Sequence, residues 1–390
     1  MTRHLIATLS AVAVAATFAA SSAAGADRRS NRPPAEILRP PAEVATLEAK
    51  SDWALKAATK DERGRGFWIG YSIERLMGER SRIGSFTDGG SGRDLTIAEI
   101  LSGAKAAAVP SAAGDDLRGA ARAALDGIEG REKPEKKVLK DLGIFLKYET
   151  GRTPALTDVS ISNLDLAFDF EGAPLFWLGK TSEDQSLALL KTLYGRNRAG
   201  EAREGLVAAA GCHGTARLVV PFLETVLTGD EPDDLRKDAA FWMGQQNDPD
   251  GLRLLVKAAR DDRSEEVREG AVFSISQVEL PEAVDEIIAL ARGAEARDVR
   301  KQAVFWLGQM ASEKSGKALV EIARKDGEIE IQEQAVFALS QLPDNQGVDA
   351  LIKLAKTHPD PRVRKKAVFW LGECDDPRAL ETLIAIIKGK

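Results

Sequence analysis

From about residue 200 onward, apolar positions recur with the period of amphipathic helices, and the whole pattern returns every 32 residues. The phrase VRKQAVFWLGQ at 299–309 reappears as VRKKAVFWLGE at 363–373, with IQEQAVFALSQ at 331–341 between them. The first slot of each phrase holds Leu235, Val267, Val299, Ile331 and Val363; the fifth holds alanine from Ala239 to Ala367; the seventh holds phenylalanine from Phe241 to Phe369. A sixth copy, EAREGLVAAAGC at 201–212, precedes them. At about 100° per residue, Val299, Ala303, Trp306 and Leu307 share one helical face and Lys301 lies opposite. A polar break then leads to a second apolar stretch, such as ALVEIA at 318–323 or ALIKLA at 350–355. Neither helix of such a pair can bury its face alone, so the pairs must stack into one continuous core.

Within the stack the tryptophan alternates. Trp242, Trp306 and Trp370, each followed two residues later by glycine, occupy every second copy, with Ser274 and Ala338 in the copies between. This predicts core tryptophans in alternating large and small layers. Trp177 and Gly179 continue the same phase backwards. On the outward slot Lys237, Glu269, Lys301, Glu333 and Lys365 alternate in sign, which predicts exposed contacts between neighbouring copies, each contributing about 0–1 kcal/mol.

The N-terminal half follows other rules. Residues 27–46 are proline-rich and predict an extended linker, and 47–60 predict a helix containing Trp53. GFWIGYSIERLMG at 66–78 reads as a strand, RSRIGSF after it as a second, and 142–149 with 155–163 as a β-hairpin. The alanine-rich stretch 103–127 predicts a helix broken at Pro110 and Gly114, and TDGGSGRD at 87–94 a connecting loop. The domain plan is a signal peptide at 1–26, the linker at 27–46, a small α/β domain at 47–180 and a helical stack at 181–390.

Export rests on Arg3 and His4 before the apolar run Leu5–Ala20, with Ala24 and Ala26 fitting signal-peptidase cleavage ahead of Asp27. The expected location is periplasmic or secreted, in a bacterium, with no membrane span once the signal is removed. Sixty acidic residues against 54 basic ones argue against a nucleic-acid partner. Cys212 and Cys374 lie five repeats apart, too far for an internal disulfide. Cys212 beside His213 raises the alternative of a reactive thiol.

The phrase V-R-x-x-A-V-x-x-L-G followed by a second helix resembles the short HEAT-like repeats named after phycobilisome lyases, over residues 201–390 and touching FWLGK at 176–180. The resemblance implies a mainly α protein, a right-handed α-solenoid of HEAT-like helix pairs behind the small α/β domain with its β-hairpins. It further implies an interaction scaffold, or else an enzyme of the bilin-lyase or iron-hydroxylase kind. The hydroxylase needs His-Glu pairs, and His213 and His358 form none; the lyase acts on a cytoplasmic partner, against the export signal. The expectation is a non-catalytic scaffold of the cell envelope with no cofactor and no metal, its oligomeric state left open.

The candidate binding residues lie on the second helices, each of which ends in a basic residue. Arg253, Lys257, Arg260, Arg292, Lys317, Arg324, Lys353 and Lys356 share one face there. Read as the concave side of the solenoid, they form a basic-edged groove for a protein or acidic peptide segment. The competing explanation of the end column is complementarity to the helix dipole.

Overall fold

The computed structural model describes residues 31–58, 66–84, 95–103, 136–151, 153–198 and 200–388, which fall into two compact units, Met1–Thr215 and Ala216–Lys390. The signal segment, the loop 87–94 and all but the first residue of the alanine-rich stretch lie outside the described residues.

The first unit is built on a sheet of five strands: β1 (Ile37–Leu38), β2 (Phe67–Gly78), β3 (Lys137–Glu149), β4 (Ala155–Asn163) and β5 (Leu175–Lys180). Their order is β1-β5-β2-β3-β4. Strands β2 and β3 pair antiparallel without interruption from Phe67 opposite Tyr148 to Gly78 opposite Lys137, and β5 lies parallel between β1 and β2. Phe67 to Ile73 are buried without a break, because both faces of the central strand are covered. Trp68, Phe145, Phe170, Leu175 and Trp177 form the core on one face, closed by Ile97 and Ile100 of the short helix α2 (Ile97–Leu101). Helices α1 (Leu47–Ala58) and α3 (Glu183–Arg196) also pack against the sheet, with Trp53 meeting the edge of Phe176 at 5.8 Å. Helix α4 (Glu201–Gly211) packs on β4, and a Cβ at Gly205 would come within 2.7 Å of Val159.

Three features depart from the sequence reading. No strand forms over Arg80–Gly84, the described part of RSRIGSF: Arg82 donates to the carbonyls of Glu79 and Ser81 and folds the segment back. FWLGK is strand β5 and not a repeat phrase, so Trp177 belongs to the sheet core. The described part of the proline-rich segment, from Asn31 onward, is tied along the sheet, where β1 pairs with β5 and the Leu175 amide donates to the Glu36 carbonyl at 3.0 Å.

The second unit contains α5 (Ala216–Leu227) and five helix pairs. First helices are α6 (Asp233–Gly244), α8 (Glu265–Ser276), α10 (Arg297–Met310), α12 (Ile329–Ser340) and α14 (Pro361–Gly372). Second helices are α7 (Pro249–Asp261), α9 (Glu282–Gly293), α11 (Glu313–Lys325), α13 (Val348–Thr357) and α15 (Pro377–Ile387). Asp248, Asp360 and Asp376 cap α7, α14 and α15 with proline directly behind them, and Ser312 caps α11. Val299, Ala303, Val304 and Leu307 are fully buried on α10, as are Leu319 and Ala323 on α11. Successive first helices pack closely, whereas successive second helices touch lightly. The second-helix face, expected to be concave, is thus the more widely spread side of the stack.

The tryptophans are not core residues. Trp242, Trp306 and Trp370 are half-buried, one position beyond the sealed face, and pack against phenylalanines: Trp306 lies 5.0 Å from Phe273 and Trp370 lies 5.1 Å from Phe337. The layers nevertheless interlock through the glycines. A Cβ at Gly244 would stand 2.7 Å from the Ser274 carbonyl oxygen, and one at Gly308 would stand 3.1 Å from the Ala338 Cβ. The tryptophan slot of each intervening copy therefore faces a glycine at a distance that admits only a small side chain, which is why tryptophan drops out there.

Candidate functional site

Two groups of polar side chains stand out, one in each unit. In the first unit Tyr71 of β2, Ser186 of α3 and His213 just beyond α4 form a chain, all fully buried. The His213 Nε2 lies 2.8 Å from Ser186 Oγ, and Ser186 Oγ lies 3.0 Å from Tyr71 Oη. The His213 Nδ1 lies 2.9 Å from the Ala209 carbonyl oxygen, which places the ring proton on Nδ1 and leaves Nε2 to accept from serine. Burial holds His213 below the ordinary histidine range and pushes the Tyr71 phenol above its own. Sequence reasoning found no serine for this histidine because 27 residues separate the two. The pairing resembles a nucleophile with its base, but a serine hydroxyl without exposure meets no substrate, so the chain links sheet and helices.

Cys212 is sealed as well. Arg75 donates to its carbonyl oxygen, and burial pushes the thiol up, against the opposing effect of the Arg75 charge. Both features run against a reactive thiol. Cys212 and Cys374 are both free. Among the described residues no group of three His, Cys, Asp or Glu side chains is placed to hold a metal ion, and no helix is long and apolar enough to cross a membrane.

In the second unit the structure adds a column that sequence reasoning missed. Arg236 is buried and pairs with Asp262 at 2.6 Å; Arg268 pairs with Asp298 at 2.9 Å; Arg300 pairs with Asp326 at 2.5 Å. These arginines fill the second slot of the repeat phrase, and the fourth copy carries Gln332 there, which donates to the Asp326 carbonyl at 2.6 Å. The signal was the recurrence of arginine beside a buried apolar slot, a position where a charge persists only with a partner. The outward lysines form ion pairs one turn away from the expected register: Lys237 with Glu266 at 3.0 Å and Lys301 with Glu330 at 3.3 Å, rather than with Glu269 and Glu333.

All eight predicted cations are exposed on second helices: Arg253, Lys257 and Arg260 on α7, Arg292 on α9, Lys317 and Arg324 on α11, Lys353 and Lys356 on α13. Three are already satisfied. Arg253 pairs with Asp250, Arg292 with Glu321 at 2.5 Å, and Lys317 with Glu313 at 2.6 Å. Lys257, Arg260, Arg324, Lys353 and Lys356 have no ion-pair partner among the described residues.

Residues 220–308 and 316–390 match the family model of HEAT repeats. This part of the chain carries HEAT repeats. Among solved structures, human deoxyhypusine hydroxylase in complex with glycerol is 20% identical over 52% of this chain and 83% of its own, with a TM-score of 0.24. The complex of CpcE and CpcF of phycocyanin lyase from Nostoc sp. PCC7120 is 23% identical over 39% of this chain and 96% of its own, with a TM-score of 0.30. No curated relative matches this sequence.

Proposed function

We propose that this protein is a non-catalytic scaffold of the bacterial cell envelope, exported by its N-terminal segment, whose second-helix face captures an acidic segment of a protein partner. The observation that carries this reading is the set of five exposed, unpaired second-helix cations, Lys257, Arg260, Arg324, Lys353 and Lys356, on a chain whose net charge is −6. An acidic chain that leaves its own cations unneutralised along one face attracts an acidic ligand there while repelling anions elsewhere. HEAT-repeat stacks commonly serve as interaction modules, and extended surfaces of this kind suit a chain segment better than a small molecule. The dipole explanation covers Arg260, Arg324 and Lys356, which lie in last turns; Lys257 and Lys353, further from the helix ends, fall outside it. The test is a titration of a fluorescein-labelled glutamate decapeptide against the full chain, beside a lysine decapeptide. Binding of the acidic probe alone, weakening as salt rises from 50 to about 500 mM, supports the reading. Equal binding of both peptides overturns it.

A further inference from the structure

Two steps between successive second helices, α9–α11 and α13–α15, are bridged by ion pairs between residues 29 positions apart. Arg292 of α9 holds Glu321 of α11, Asp285 of α9 holds Lys314 of α11 at 2.6 Å, and Asp349 of α13 holds Arg378 of α15 at 2.8 Å. The same spacing across α11 and α13 sets Arg324 opposite Lys353: a second cation stands where Glu321 stands one repeat earlier. Among the described residues no ion pair joins these two helices. Nor is an acid left on either of them to neutralise the position. Helix α11 has only Glu313 and Glu321, engaged by Lys317 and Arg292, and α13 has only Asp349, engaged by Arg378. Lys356, one turn beyond Lys353, adds a third free cation to the same step.

The buried joint that follows, between the fourth and fifth copies, is neutral. Where Arg236 and Arg300 pair with Asp262 and Asp326, 26 residues onward, the fourth copy carries Gln332 and His358. Both are buried, and Gln332 Oε1 and His358 Nε2 are without hydrogen-bond partners. The α11–α13 step thus lacks the outer pair that the steps on either side of it carry, while Arg300 with Asp326 and Lys301 with Glu330 tie its first-helix side.

We infer that the acidic partner segment seats across this step, a carboxylate between Arg324 and Lys353 supplying from outside the bridge that Glu321 supplies from within one repeat earlier. Neighbouring helices lie roughly 10 Å apart, so two carboxylates one helical turn or two strand positions apart on the ligand reach Arg324–Lys353 and Lys356 together. A peptide suits the site better than a nucleic acid, whose phosphate ladder would meet the acidic remainder of the chain. Binding here joins α11 to α13 by the outer tie that this step otherwise lacks.

This inference rests on the proposed capture of acidic segments, and the experiment separates the two. The glutamate decapeptide is titrated by fluorescence anisotropy against wild type, Lys353→Glu and Lys257→Glu, each checked for an unchanged melting transition. Lys353→Glu restores the internal pairing seen between Arg292 and Glu321, so the variant folds at least as well as wild type. Expected are a loss of affinity of about tenfold or more for Lys353→Glu and less than about twofold for Lys257→Glu, as for a central against a peripheral charge. Equal losses in both variants overturn the seat while leaving the basic face intact. No binding by wild type at 50 mM salt overturns both readings. Tighter binding of an equally charged oligothymidylate than of the peptide overturns the assignment of the ligand as a protein segment.

Discussion

The sheet unit and the helical unit bury their polar groups by opposite means. In the first, Tyr71, Ser186 and His213 make a neutral chain of hydrogen bonds across elements far apart in sequence. In the second, Arg236 is buried as an ion and Arg268 and Arg300 are largely covered, each with a carboxylate from the connection before or within the next repeat. A neutral chain joins surfaces that hydrophobic packing has already brought together. A buried ion pair is strongly penalised when either partner is missing, and so fixes spacing between repeats whose apolar faces are nearly interchangeable.

The sharpest test of this contrast lies in the ion pairs. Arg300→Ala leaves the Asp326 carboxylate buried without its partner and should cost about 3–5 kcal/mol in urea unfolding of the helical unit. Gln332→Ala, at the same slot, removes a neutral donor and should cost about 0.5–1.5 kcal/mol. Similar losses at both positions would show that charge contributes nothing to the joint.

A smaller effect probes the interlock of layers. Gly244→Ala drives a methyl group toward the Ser274 carbonyl and should cost about 1–3 kcal/mol. Gly372, in the equivalent slot of the last copy, has no neighbour within 4 Å, and Gly372→Ala should instead stabilise its helix by about 0.5–1 kcal/mol. Losses of equal size would mean that the glycines serve helix ends rather than the fit between copies.

The mildest test concerns pH. Because His213 is held below the ordinary histidine range, mainly by burial, the unfolded chain takes up the proton more readily than the folded one. The stability of the sheet unit should be complete above about pH 6.5 and decline as pH falls below it. The urea midpoint of that unit, followed from pH 7.5 to 5, should fall more steeply in wild type than in His213→Gln. Parallel curves would show that the histidine does not titrate with unfolding.

Much of the helical unit was legible because its determinants are local and repeat. The buried alanine slot, the apolar first slot and the capping aspartates each follow from spacing along a single helix. The tryptophans misled because they lie one position beyond the sealed face, where helical geometry alone does not decide between core and rim. FWLGK misled for a related reason: five residues carry the repeat's letters but not its period, and Leu175 to Lys180 pair with β1 and β2, more than a hundred residues away. The exposure of all eight candidate cations was predictable from their phase on the second helices. Which of them are free was not, since that depends on carboxylates 29 residues away in the neighbouring helix, as Glu321 is for Arg292.

The glycine-to-small-residue fit also governs how this chain goes astray while folding. A helix slipped by one copy would set Trp306 where Ser274 or Ala338 belongs, against a glycine that leaves no room for an indole ring. A helix slipped by two copies meets an almost identical phrase, VRKKAVFWLGE in place of VRKQAVFWLGQ, and every large and small position matches again. Traps of single-step register are thereby eliminated, while exchange between α10 and α14 stays open, within one molecule or between two. Misassembled forms of this protein should therefore be wrong by an even number of repeats.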